Sequence, residues 1–224
     1  MDNTRTPVLY IVGNYNIDLV MGTLTHWPAQ GTEMMLEHSA LRPGGSAGNC
    51  ALAAAAMQLP HCTVGCQGDD AFTPWLAAQF PGGSARWPQY PCETSLTVAI
   101  THPNKERSFL SNHGHITRLT AGDVLSQLPA AAGEGDIVLL CGTFLCTGLL
   151  SDYPQLLATL RQRGFTLAVD TGWPPQGWSD PLRHEVDRWL GDCDWLLLND
   201  VETLQLAGHP TLAAAAAALA ARLS

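Results

Sequence analysis

Lysine is nearly missing from this chain. Lys105 is the only one among 11 basic residues; the others are arginines. Any chemistry that needs a Schiff-base or phosphate-binding lysine therefore has a single candidate. It lies in His102-Pro103-Asn104-Lys105-Glu106, which reads as an exposed turn between two strands. The Gly-rich loop ending in Gly-Lys-Ser/Thr is absent as well, so a nucleotide would have to be held in some other way. Basic charge is scarce throughout. Against 20 acidic residues the net charge is −9, and no basic run exists to neutralise phosphates, which argues against nucleic acid as a partner.

Paired cysteine motifs are also lacking. The seven cysteines (50, 62, 66, 92, 141, 146 and 193) include no Cys-x-x-Cys, and several sit in apolar runs such as Val138-Leu139-Leu140-Cys141. Free buried thiols in a reducing compartment are the plain reading. Cys62 and Cys66 beside His61 offer zinc ligands, but a fourth ligand at sensible spacing is missing. Long apolar runs are absent too. Val8 to Val12 is too short for a signal core, and Leu212 to Ala221 is too short to span a bilayer and mostly alanine. The expectation is a soluble, cytoplasmic protein that does not engage a membrane. With only 14% charged but 46% hydrophobic residues over 224 positions, disorder is excluded and a sizeable core is affordable.

What is present is an alternation of short apolar strands and helices. Val8–Val12, 62–66, 137–141, 166–169 and 195–198 read as strands. Ser46–Gln58, 70–80, 121–128, 153–163, 181–190, 200–207 and 211–223 read as helices, with Thr120 as a cap. Glu33–Leu41 and Ser95–Thr101 are looser strand candidates. Arg107–Ser111 returns across the Pro-Asn-Lys turn as the second arm of a hairpin. The pattern implies a mostly parallel sheet covered on both faces, with a small side sheet. Ligands of such sheets bind beyond the carboxyl ends of the strands, which points to Gly13-Asn14, Gly142-Thr143, Asp170-Thr171 and Asn199-Asp200.

Two of these places carry recognisable chemistry. Pro43-Gly44-Gly45-Ser46-Ala47-Gly48-Asn49 runs straight into the alanine-rich helix. It is either a tight turn or a site where backbone N–H groups meet hydroxyls or an anion. In Gly13-Asn14-Tyr15-Asn16-Ile17-Asp18, Asn16 and Asp18 project to one side if the chain is extended. Their amide and carboxylate suit sugar hydroxyls, although an Asx-rich turn explains the same residues. His113-Gly114-His115 has chelate spacing on a strand, without an acidic or thiol partner nearby; a lid-edge or pocket-rim place is the simpler reading. Trp173, Trp178 and Trp195 read as core or rim packing.

Taken together the motifs resemble the ribokinase-like carbohydrate kinase family, also called PfkB. Gly13 to Asp18 is similar to its Gly-x-x-Asn-x-Asp sugar motif, and Gly44 to Asn49 to its Gly-Gly-x-x-x-Asn signature. Gly68-Asp69-Asp70 is similar to its Gly-Asp-Asp turn, and Asn199-Asp200-Val201-Glu202 to its Asn-x-x-Glu motif. The resemblance spans residues 1–224 as one domain. It implies a three-layer α/β fold with a small β lid, whose strands fall within about 17–41 and 94–112. It further implies transfer of the ATP γ-phosphoryl group to a sugar hydroxyl with Mg²⁺. Asn16, Asp18, Gly44, Gly45, Asn49 and Thr143 would bind the acceptor, Asp170 and Asn199 the nucleotide phosphates, and Asn199 and Glu202 the metal. A homodimer through the lid is expected.

One departure matters. The family's Asp-Thr-x-Gly-Ala-Gly-Asp signature, which supplies anion hole and base, should follow the Asn-x-x-Glu region, and the sequence stops at Ser224 before it. The expectation is therefore a member truncated at its C-terminus, with no catalytic base in these residues. Thr120-Ala121-Gly122-Asp123 and Gly133-Glu134-Gly135-Asp136 are partial look-alikes in unsuitable contexts. Two other readings stay open: a catalytically inactive sugar-binding remnant, and a nucleoside kinase in which Tyr15 and Phe109 form a slot for the base.

Overall fold

The computed structural model describes residues 5–224. Five short strands, β1 (Leu9–Gly13), β4 (His61–Val64), β7 (Ile137–Cys141), β8 (Thr166–Asp170) and β9 (Trp195–Leu196), form one parallel sheet in the order β4-β1-β7-β8-β9. All its pairings are parallel, so each crossover needs a helix or long connection. Burial on both faces explains the near-continuous apolar runs read from the sequence. Tyr10, Val12, Val138, Leu140, Leu167 and Val169 point into one core. Their neighbours Ile11, Leu139 and Ala168 point into another, on the opposite face.

Helices cover these two faces. α1 (Ser46–Ala56) and the neighbourhood of α2 (Thr73–Gln79) lie over the Ile11 side. The other side is closed by α3 (Ala121–Gln127), α4 (Thr147–Leu150), α5 (Tyr153–Gln162), α6 (Asp180–Leu190), α7 (Asp200–Ala207) and α8 (Leu212–Ala220). Of these, α4 has no counterpart among the helices expected from periodicity; a single turn is too short to show one. Among the described residues no helix is long and apolar enough to cross a membrane.

A second sheet, β3-β2-β5-β6, is built from β2 (Asn16–Gly22), β3 (His38–Gly44), β5 (Leu96–Thr101) and β6 (Arg107–Ser111). Its β3 strand is displaced from the expected 33–41. Pairing with β2 extends it through Pro43 to Gly44, from Gly22↔His38 to Asn16↔Gly44, while residues 33–37 stay outside any strand. β2 itself is a strand, not the Asx-rich turn that explains the same residues in sequence. Ile17, Leu19 and Met21 alternate with Asn16, Asp18 and Val20, and the pairing with both β3 and β5 makes that period of two decisive.

The lid-edge or pocket-rim expectation for His113-Gly114-His115 fails at His115, while His113 is exposed just past β6. Gly114 is left-handed (φ 51°), the chain enters a 3₁₀ turn at His115, and His115 is fully buried rather than on a rim. Its Nδ1 accepts from the Ser95 N–H at 3.0 Å, so Nε2–H donates to the Tyr15 carbonyl at 3.0 Å. Among the described residues no three or more His, Cys, Asp or Glu side chains gather into a metal-holding group, so neither this pair nor Cys62 and Cys66 acquires further ligands of these types. Burial pushes the His115 imidazole down to about 4, the Tyr15 bond offsetting only part of that. Protonation would also set an Nδ1–H against the Ser95 N–H. The folded state thus favours neutral His115, and the unfolded chain binds the extra proton below about 6.5. This contribution is present above pH 6.5 and is lost as pH falls from there to 4. It is on the order of 3 kcal/mol. Thermal melts of wild type and His115→Gln between pH 7 and pH 4 should converge as the pH drops; parallel curves would show that His115 is not the titrating group.

Candidate functional site

The site begins at the end of β1. Gly13 takes φ +146°, and a Cβ there would stand 2.2 Å from the Cys141 carbonyl oxygen, so the position excludes any larger residue. The following turn is pinned by Tyr15, which is buried, donates from its hydroxyl to Ile11 O at 2.6 Å, and packs against Phe80 and Trp87. Tyr15 is therefore unavailable as a slot for a nucleobase, because its ring is a core element. Phe109 remains 61% exposed on β6. The register Val20↔Ala99 and Ala99↔Phe109 places it on the face of the sheet that carries Asp18.

Beyond the turn a row of polar side chains forms along β2. The Asn14 amide donates to Asn16 Oδ1 at 3.3 Å, and Asn16 Nδ2 donates to Asp18 Oδ1 at 2.8 Å. Asn14 and Asn16 are buried, while Asp18 is half-buried. Burial raises the Asp18 carboxyl above its ordinary value, and the Asn16 donor opposes that shift. The antiparallel register sets Asn16 across from Gly44. A Cβ on Gly44 would lie 2.2 Å from Asp18 Oδ2, and one on Gly45 would lie 2.5 Å from Asn16 Oδ1 and 2.2 Å from Asn14 O. The glycine pair is thus the floor on which Asn16 and Asp18 rest. Gly45, at φ +89°, also opens α1 without a side-chain cap. Asn49 is exposed on the first turn of that helix, one turn along from Ser46.

The other end of the site is a cleft of about 680 Å³ lined by Ser46, Cys50, Cys141, Asp170, Asn199 and Glu202 among others. The strand ends of β7 and β8 and the start of α7 meet there. Asn199 and Glu202 cap α7 reciprocally. Asn199 Oδ1 accepts from the Glu202 N–H at 2.9 Å, and Glu202 Oε2 accepts from the Asn199 N–H at 3.0 Å. The Asp170 carboxyl is raised, chiefly by burial and further by the charge of Glu202, while the Gly172 N–H bond at 2.9 Å holds it back. Two carboxylates thus face one cleft without an arginine or lysine among its lining residues.

The remaining motif residues are accounted for structurally. Thr143 is buried and shares its hydroxyl with Tyr153 at 2.9 Å, turned toward the core rather than the cleft. Asp70 of the Gly-Asp-Asp turn accepts from Thr94 N at 2.7 Å and Phe72 N at 3.0 Å, tying the start of α2 to the approach of β5. Asp123 is spent on its capping box with Thr120 and on the Tyr90 hydroxyl at 2.6 Å. Asp136 is buried against Arg5 at 2.8 Å and accepts from Val8 N and Gly133 N. Neither look-alike aspartate is among the residues that line the cleft. The joining of Ser46 and Cys50 to the Asp170 end was not foreseen from the sequence. Its only local sign is that both lie on the helix that follows the glycine pair.

Comparison with known proteins agrees with this fold. Residues 8–223 match the pfkB family carbohydrate kinase model. Among solved structures, Arabidopsis thaliana ribokinase complexed with ribose and ATP is similar with a TM-score of 0.72 at 18% identity, over 98% of this chain and 70% of that one. Fructokinase with bound ATP from Xylella fastidiosa gives 0.72 at 17%, over 96% and 69%. Ribokinase from Thermotoga maritima gives 0.67 at 19%, over 97% and 69%. At such identities the likeness speaks to the fold. No curated protein matches the chain.

Proposed function

Because the chain belongs to the pfkB family of carbohydrate kinases, we propose that it binds a sugar between the β2–β3–β5–β6 sheet and the first turn of α1, and Mg²⁺-ATP in the adjoining cleft. The observation that carries this reading is the position of α1. Its leading glycines touch Asn16 and Asp18 on one side, and its residues Ser46 and Cys50 line the cleft with Asp170, Asn199 and Glu202 on the other. Acceptor and donor would then meet across one helix start, where backbone N–H groups and the helix dipole favour anionic oxygen.

In this reading Asp18 accepts two acceptor hydroxyls, Asn16 orients Asp18, and Gly44, Gly45 and Asn49 complete the pocket wall. Asn199 has committed its carbonyl oxygen to capping α7, which leaves its NH₂ for a phosphate oxygen. Asp170 and Glu202 suit a divalent cation, since the Glu202 charge that adds to the upward shift of the Asp170 carboxyl would be balanced by a positive ion between them. Mg²⁺ there would neutralise charge on the transferred phosphoryl group. Thr143 contributes through the packing of the β7 end, given its bond to Tyr153. A purely sugar-binding role needs only the Asp18 side. A nucleoside acceptor would have Phe109 and no second ring from Tyr15.

The outer sheet acts as a lid. Its outer hairpin, β5 and β6, joins the rest of the sheet along one edge only, and a two-stranded hairpin is marginal unless something packs on it. Amide exchange in residues 95–111 should therefore be faster than in β7 without ligand and should slow when the right sugar is added. Exchange there already as slow as in Ile137–Cys141 would make the sheet a fixed part of the core.

The face of that sheet turned away from Asp18 carries Leu19, Leu41, Val98 and Leu110 side by side in register. Leu41 and Leu110 are exposed. A second copy of the chain is the occupant proposed for this face. Sedimentation should give a dimer that Leu110→Glu converts to monomer; an unchanged sedimentation coefficient in that variant would remove the lid from the interface.

A further inference from the structure

The floor of the cleft holds two thiols that sugar and nucleotide binding leave without a role. Cys50, in the second turn of α1, and Cys141, the last residue of β7, both line it. Their sulfurs lie 3.9 Å apart, with the Cys141 S–H directed at Cys50. This is the only sulfur-to-sulfur hydrogen bond among the described residues. Cys66 donates to His115 O and Cys193 to Trp189 O, Cys62 meets Arg86, Cys146 is fully buried, and Cys92 is half-buried.

The two partners are unequal in a useful way. Cys50 is half-buried and reachable from the cleft, whereas Cys141 is 2% exposed. The thiol that is accessible from the cleft is placed to attack, and its buried neighbour at van der Waals distance is placed to resolve. Closing to a disulfide requires the sulfurs, now 3.9 Å apart, to approach to about 2.05 Å.

We propose that Cys50 and Cys141 form a redox-modification site that takes a small-molecule disulfide of the glutathione type and closes to an intramolecular disulfide across the cleft floor. The Cys50 thiolate attacks one sulfur of the small disulfide, forming a mixed disulfide and expelling a thiolate that takes up a proton. Cys141 then loses its proton and attacks the Cys50 sulfur, expelling the second small thiolate. Two protein thiols are oxidised to one disulfide, and the small disulfide is reduced to two thiols. The product staples α1 to β7 directly beneath Ser46 and Asp170, so the redox state sets the shape of the cleft.

The test treats the 224-residue protein with oxidised glutathione, alkylates free thiols and maps the peptides by mass spectrometry. The expected main product is a Cys50–Cys141 linked peptide. The melting temperature should rise by at least about 5 °C and return on reduction, since the bond closes a long loop. Cys141→Ala should stop at a glutathione adduct on Cys50. Cys50→Ala, a change at a half-buried helix position, should give neither product. A stable adduct on Cys50 in the wild type with Cys141 alkylated would overturn the resolving role. Modification of Cys92 with Cys50 untouched would overturn the site altogether.

Discussion

Purified as 224 residues and supplied with Mg²⁺, ATP and a panel of sugars, this chain is expected to form phosphosugar at less than ~10⁻² s⁻¹, against ~1–100 s⁻¹ for an ordinary kinase. A sugar hydroxyl is a poor nucleophile at neutral pH, and a positioned base contributes about 10²–10⁴-fold. Preorganised donors for the transferred phosphoryl group contribute about 10²–10³-fold for a single N–H. The segment that supplies both in the family resemblance, Gly-Ala-Gly-Asp, does not occur in these residues. The two partial look-alikes are occupied elsewhere: Asp123 by Thr120 and Tyr90, Asp136 by Arg5, Val8 and Gly133. A phosphosugar assay, run beside calorimetric binding of the same sugars to show that the protein is folded and competent, decides the matter. Turnover in the ordinary range would require a base inside the chain. Asp170 is then the group to replace, since it lies in the cleft and burial favours its protonated form.

Replacing Asp18 by Asn is expected to weaken acceptor binding by about 30- to 1,000-fold, equivalent to ~2–4 kcal/mol for two charge-assisted hydroxyl bonds that do not add fully. The melting temperature should stay level or rise slightly. Burial already disfavours the charged carboxylate in the folded state. An amide is also isosteric, so it can turn its oxygen toward Asn16 Nδ2 and keep the bond now made at 2.8 Å. Isothermal calorimetry over sugars and nucleosides measures the first part and a thermal melt the second. Equal affinities would remove Asp18 from the acceptor site. A large fall in melting temperature would mean that the charge holds β2 to β3 and is structural.

Much of this molecule is legible in its sequence. The apolar runs at residues 8–12 and 137–141 specify buried strands because a period of two, or no period at all, is a property of neighbouring residues. Thr120 announces a helix start because a cap acts over only four positions. Gly44-Gly45 marks a close backbone approach, since only glycine leaves room for the Asn16 and Asp18 side chains that cover it. The near-absence of lysine disposes of a lysine-based phosphate site before any folding is considered.

Other features waited on tertiary structure. Tyr15 and His115 each look available in sequence, yet both are core residues, bonded to Ile11 O and to Tyr15 O with Ser95 N. Their polarity gives no hint of which way the chain will turn them. Strand β2 exists because β3 and β5 pair with it, and the register of those pairs, rather than local propensity, sets Asn16 across from Gly44. The cleft joins Ser46, Cys141, Asp170 and Glu202, residues far apart in sequence. They meet because parallel strands bring all their carboxyl ends to one edge of the sheet. The sequence alone determined the strands of the parallel sheet and the longer helices, since hydrophobic period, caps and glycine sterics act over a few residues. Only the folded chain decided which side chains face one another, because that depends on crossovers and register that no local pattern encodes.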